Sequence, residues 1–186
     1  MRVVAGTAGG IPLVIPKQNV RPTMDRVKGA MFSTLGEMVP GARVLDLFAG
    51  TGALGIEALS RGAASAVFVE KDSFALKAIE KNFEKTNLRG QVQAMDVFSY
   101  LDRLARPASY DLIFADPPYA KVPGDRQFTN ELLASAPLAA ALAPGGLFIL
   151  EKLPAEPMPP LGPWECIRAK AYGETEVVIL RPRVQE

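Results

Sequence analysis

Histidine is absent from the 186 residues, and there is only one cysteine, Cys166. Without an imidazole the chain cannot build a Ser-His-Asp or Cys-His pair, and a zinc or iron site is not expected. One thiol forms no disulfide framework. Methylation of a pyrimidine carbon generally needs a thiolate to attack the ring, and Cys166 is read as a core cysteine in a terminal hairpin, away from any site. No run approaches the roughly 18 apolar residues of a membrane span, and Met1-Arg2-Val3-Val4-Ala5 leads into glycine-rich polar sequence instead of a secretory core. The expectation is a cytoplasmic protein with no membrane partner and no metal.

Net charge is low as well, +1, so the total carries no nucleic-acid signal. Its distribution is uneven. Residues 1–43 hold six basic groups (Arg2, Lys17, Arg21, Arg26, Lys28, Arg43) against two acidic ones (Asp25, Glu37), while the remaining residues hold 15 against 18. A basic end on a mildly acidic body suits an arm that contacts phosphates.

Hydrophobic residues make up 48% of the chain, and its length suits one domain with a sheet covered on both faces. Residues 2–5 and 11–15 read as a small hairpin around Gly6-Thr-Ala-Gly-Gly10, with Pro12 keeping the second arm at an edge. A helix follows, with Thr23 as its N-cap and Val27, Met31, Leu35 and Met38 as its buried stripe. From 43 onward, strands at 43–48, 66–70, 91–94, 110–115 and 146–151 alternate with helices near 52–61, 73–86, 97–105 and 128–142. Such alternation predicts an α/β fold with a doubly wound, mostly parallel sheet. After a proline-rich loop, 164–170 and 175–181 read as a C-terminal antiparallel hairpin. The whole of 1–186 is read as a single domain, with 1–42 as an N-terminal hairpin and helix extension suited to contacting phosphates and 43–186 as its core.

The core is organised around Val44-Leu-Asp-Leu-Phe-Ala-Gly-Thr-Gly-Ala-Leu-Gly-Ile-Glu-Ala-Leu59, a strand, a glycine turn and a helix. Gly50, Gly52 and Gly55 match the dinucleotide fingerprint, with Glu70 at the spacing of a ribose-binding acid. An NAD-dependent oxidoreductase therefore stands as a rival reading. Asp46, inside the strand's last turn, is a poor neighbour for a pyrophosphate and a good one for a cationic ligand such as S-adenosylmethionine. Four predicted strand ends carry carboxylates: Asp46, Glu70, Asp96 and Asp116. Glu70 would accept ribose hydroxyls, Asp96 the adenine amine beside the Val97 N–H, and Asp46 with Phe48, Gly50 and Gly52 would hold the methionine end. In Asp116-Pro117-Pro118-Tyr119 two prolines remove two donors and leave a rigid corner of acceptors. That corner suits a planar exocyclic amine, and Tyr119 offers a stacking face for a flipped base.

With these motifs in place, the chain resembles the Rossmann-like S-adenosylmethionine-dependent methyltransferases. More narrowly it resembles the bacterial family that methylates the N2 amine of a guanine in 16S ribosomal RNA. The resemblance runs through Arg2-Val-Val-Ala-Gly6, Arg21-Pro-Thr-Met-Asp-Arg26, Asp46-Leu-Phe-Ala-Gly50, Ser60-Arg-Gly-Ala63, Val69-Glu-Lys-Asp72, Asp116-Pro-Pro-Tyr119 and Tyr172-Gly-Glu-Thr175. It implies that Asp116 and Pro117 bind the target amine, that Tyr119 stacks on the base, and that Arg21, Thr23 and Arg26 lie near the substrate. The implied partner is ribosomal RNA or a small-subunit particle, met by a monomer. The first hairpin departs from the family in lacking an Arg-Gly-Arg-like turn. The same corner would also serve an enzyme that methylates an amine on DNA or on a protein glutamine, and the basic end would serve an RNA-binding assembly factor.

Overall fold

The strands that begin at Arg43, Ser65 and Tyr110 are largely apolar on both faces, as strands covered by helices on each side must be. The computed structural model describes residues 1–15, 23–120 and 124–183. Its strands are β1 (Arg43–Leu47), β2 (Ser65–Glu70), β3 (Gln91–Ala94), β4 (Tyr110–Ala115), β5 (Leu142–Lys152), β6 (Trp164–Tyr172) and β7 (Thr175–Pro182). They form one sheet in the order β3-β2-β1-β4-β5-β7-β6. β1 to β5 pair in parallel, and β7 pairs antiparallel with both β5 and β6. This is the doubly wound sheet with a C-terminal hairpin that the sequence predicts. The strand order reverses between β1 and β4, the place where open α/β sheets bind ligands at their carboxyl ends.

Alternate residues feed two cores. Val44, Phe68, Leu112, Phe114 and Ile149 pack beneath α1 (Thr23–Leu35), α2 (Ala53–Ser60) and α3 (Ser73–Thr86). Leu45, Leu47, Val69, Ile113 and Phe148 pack on the other face against α4 (Val97–Arg103), α5 (Phe128–Ala134) and α6 (Ala136–Ala141). Two helices begin on acids that close strand-to-helix turns. Asp72 accepts from the Phe74 and Ala75 amides, and Asp96 from those of Phe98 and Ser99.

Four expectations change. The helix expected over 128–142 is two helices broken at Ser135. Pro137 has no N–H for the Leu133 carbonyl four residues back; the indole N–H of buried Trp164 donates to that carbonyl instead, at 2.9 Å. Met38 is 41% exposed, because α1 ends at Leu35 and a short 3-10 turn rotates Met38 outward; Phe32 and Lys28 join the buried face in its place. Cys166 is exposed, since β6 is the sheet's edge and nearly all of its side chains face outward. The N-terminal hairpin forms, but its arms meet through one bridge pair, Arg2 with Pro12, and the backbone hydrogen bonds of Val3, Gly10 and Leu13, without becoming two full strands.

Side chains from α2 hold that hairpin in place. Glu57, completely buried, accepts from the Val4 and Ala5 amides at 2.7 and 3.1 Å and pairs with Lys28 and Arg61 at 3.1 and 2.7 Å. Ser60 donates to the Ala5 carbonyl and accepts from the Ala8 amide. Gly6, at φ +84°, crosses so close to Ser60 that a Cβ would overlap the Ser60 carbonyl. The Arg2-to-Gly6 and Ser60-to-Ala63 segments are therefore two halves of one docking contact. Among the described residues no helix is long and apolar enough to cross a membrane.

Candidate active site

The carboxyl ends of the strands open into a cavity of about 710 Å³. Phe48 and Gly50 line it after β1, Glu70 at the end of β2, Met95, Asp96 and Val97 after β3, and Asp116, Pro117, Pro118 and Tyr119 after β4. Glu151 of β5, Thr175 of β7 and Phe128 of α5 complete the wall.

The loop after β1 is shaped by left-handed backbone at Phe48 (φ +56°), Gly50 (φ +54°) and Gly52 (φ +77°). Such a φ is strained for phenylalanine. It is held by the hydrogen bond from the Ala49 amide to the Val69 carbonyl and by edge-on packing of the Phe48 ring on Phe128, 5.2 Å between centroids. Buried Asn82 of α3 ties the loop to the hairpin, donating to the Thr51 and Val14 carbonyls and accepting from the Val14 amide.

Glu70 is already engaged by backbone donors. Its Oε2 accepts from the Gly50 amide at 2.8 Å, and its Oε1 from the Lys71 and Asp72 amides at 2.7 and 2.8 Å. A carboxylate offers about four lone-pair positions. Oε2 therefore has room for one ribose hydroxyl, and a second requires an amide to let go. Asp96 divides its work: Oδ1 caps α4, while Oδ2 lies 3.7 Å from the Lys71 ammonium and is left for a ligand amine.

Asp46 and Gly52 lie beneath the loop and not in the cavity wall. Asp46 is 1% exposed, and its Oδ2 accepts from the Gly55 amide at 2.8 Å. Burial, only partly offset by that bond and reinforced by the negative Asp116 and Glu70, pushes its carboxyl up to about 8. Its place in the wall is taken by Asp116 and by Glu151, a residue missing from the sequence-based site. Glu151 closes the apolar run Leu147-Phe-Ile-Leu150 as Glu70 and Asp116 close theirs, so the same strand-end rule identifies it. Burial raises Asp116 to about 6, and burial with repulsion from the neighbouring Asp116 and Asp46 carboxyls raises Glu151 well above the usual carboxyl range.

Pro117 is buried and Pro118 exposed, and both line the cavity edge beside Tyr119. Of the expected substrate contacts, Arg21 lies outside the described residues. Thr23 opens α1, but its side chain is outside the description, and Arg26 is exposed on α1, away from the cavity.

The donor set fits S-adenosylmethionine: acids and an amide-rich loop suit the adenosine, and the Asp116 and Glu151 carboxyls, without a cation partner among the described residues, suit a sulfonium. Sheet order, cavity and Asp-Pro-Pro-Tyr corner together define a Rossmann-like S-adenosylmethionine-dependent methyltransferase. Residues 1–181 match the family described as Conserved hypothetical protein 95, and the chain belongs to that family. It is 35% identical over 188 residues to the "Putative rRNA methyltransferase YlbH" of Bacillus subtilis (strain 168), covering 98% of this chain and all of that one. It is also 35% identical over 123 residues to "Ribosomal RNA small subunit methyltransferase D" of Escherichia coli (strain K12), covering 65% of this chain and 61% of that one. Among solved structures, the T. thermophilus 16S rRNA N2 G1207 methyltransferase (RsmC) in complex with AdoMet and guanosine superposes with a TM-score of 0.70 at 30% identity, over 90% of this chain and 44% of that one. These matches leave the oxidoreductase reading without support.

Proposed function

We propose that this protein methylates the exocyclic N2 amine of a guanine in 16S ribosomal RNA. The observation that carries this reading is the Asp116-Pro117 corner, a half-buried carboxyl beside a buried proline, lining the same cavity as Gly50 and Glu70. The curated relatives are named for ribosomal RNA methylation, and the T. thermophilus structure is titled as an N2 guanine methyltransferase. Bound S-adenosylmethionine supplies the methyl group and the sulfonium that activates it. The chain supplies orientation. Asp116, ionised above about pH 6, and the Pro117 carbonyl accept the two amine N–H groups, so the nitrogen points its remaining electron density at the donor. Tyr119 covers one face of the flipped base. Asp116 is an acceptor and not a strong base, because the nitrogen loses its proton readily once alkylated. The basic N-terminal stretch, with Arg26 exposed on α1 and Arg21 preceding it, serves the RNA backbone.

Nucleoside mass spectrometry of ribosomal RNA from cells lacking the protein tests the reading. One N2-methylguanosine of 16S RNA should disappear and return with the wild-type gene. Asp116→Ala should not restore it, although the purified variant still binds S-adenosylhomocysteine. An unchanged nucleoside profile, or restoration by Asp116→Ala, would overturn the assignment. Tritium transfer to RNA, DNA and protein fractions distinguishes an RNA substrate from DNA or a protein glutamine.

A further inference from the structure

Glu151 is a cavity carboxyl that amine binding by Asp116 and Pro117 leaves unused. In the sheet order, β3, β2 and β1 line the cofactor side of Asp116, and β5 and β7 line the opposite side. Glu151 and Thr175 therefore border the space where the ring of the target base must lie. The register of Ala115 with Leu150 sets Asp116 and Glu151 on neighbouring strands, whose backbones run about 4.8 Å apart. Both side chains line the cavity, and among the described residues neither carboxyl has a hydrogen-bond donor or a cation as partner.

Two carboxyls so placed do not both ionise. One of them keeps its proton: Asp116, on the side where the cationic methyl donor binds, is favoured to carry the charge, which leaves the proton on Glu151. A neutral carboxylic acid has one O–H to donate. In every base with an exocyclic amine, a ring nitrogen with a free lone pair adjoins the carbon that bears the amine. In guanine that atom is N3. We propose that Glu151 positions the target base by donating a hydrogen bond to this ring nitrogen while Asp116 and the Pro117 carbonyl accept from the amine. The corner then reads an acceptor and a donor side by side and holds the amine in the plane that exposes it to the methyl group. The inference rests on the amine-methylation reading above.

The test uses small-subunit particles reconstituted with 16S RNA carrying guanine or 3-deazaguanine at the methylated position. The analogue keeps the amine and replaces N3 by C–H. Wild type and Glu151→Gln, whose amide also donates, should both prefer guanine by about 10- to 100-fold in kcat/KM. Glu151→Ala should lose a similar factor on guanine and show no preference, while titration with S-adenosylhomocysteine shows its cofactor site intact. If Glu151→Gln falls as far as Glu151→Ala, or if the preference survives in Glu151→Ala, the inference is wrong. Should Glu151→Ala not fold, the wild-type preference decides: equal rates on the two substrates overturn the proposal. A wild type that methylates the amine of neither substrate overturns the amine reading and this inference with it.

Discussion

The carboxyl of Asp46 accepts a hydrogen bond from the Gly55 amide at 2.8 Å and so pins the glycine loop to the strand below it. Its folded-state value of about 8 lies above the roughly 3.9 of an unfolded aspartate. The folded form therefore holds a proton that the unfolded chain has lost, and stability falls as pH rises from about 4 to 8, by up to about 1.4 kcal/mol per unit. Asp46→Asn keeps an acceptor for Gly55 and removes the titration. In urea unfolding, its stability relative to wild type should improve between pH 5 and pH 7.5. A difference that does not change with pH would show that Asp46 is not the titrating group.

Glu70 joins three backbone amides of the cavity rim to the ligand position. Glu70→Ala should weaken S-adenosylhomocysteine binding by about 10- to 100-fold, the range expected for loss of charge-assisted hydrogen bonds. Glu70→Gln, with one acceptor oxygen left, should fall between the two. Calorimetric titration reads both. Wild-type affinity in Glu70→Ala would reduce Glu70 to a loop anchor.

The Glu57 cluster predicts a stability defect remote from the chemistry. Removing the buried carboxylate leaves Lys28 buried without its partner and two hairpin amides without an acceptor. Glu57→Ala should cost about 3–5 kcal/mol in denaturant unfolding. Gly6→Ala, which forces a Cβ into the Ser60 carbonyl, should release the hairpin and open residues 1–15 to limited proteolysis. Protection equal to wild type in Gly6→Ala would contradict the docked arrangement.

Trp164 and Pro137 form a testable pair. Trp164→Phe removes the donor to the Leu133 carbonyl and should cost about 1–3 kcal/mol, the penalty for an unsatisfied buried acceptor. Pro137→Ala supplies the N–H that a helix continued through Ser135 would direct at that carbonyl, so the loss from Trp164→Phe should be smaller when Pro137→Ala is already present. Additive losses in the double-mutant cycle would count against this link.

Strand and helix positions are readable because their signals are local. β3 and β4 occupy 91–94 and 110–115, and α3 occupies 73–86, where apolar spacing sets them. The glycine turn and the Asp-Pro-Pro-Tyr corner are readable for the same reason: left-handed backbone and missing donors are properties of the residues themselves. Pro137 is equally visible as a breaker, but the apolar spacing on either side of it runs on as if the helix were continuous.

Burial and neighbourhood are decided only by tertiary structure. Sequence spacing puts Asp46 among the strand-end acids, yet the loop folds over it and leaves it under the floor of the cavity. Glu151 becomes a wall residue when β5 takes its place beside β4, a pairing between segments about thirty residues apart. Cys166 looks like a core residue until its strand becomes the sheet's uncovered edge. Alternation along a strand shows that successive side chains face opposite ways; only the packing of the sheet determines what each face meets.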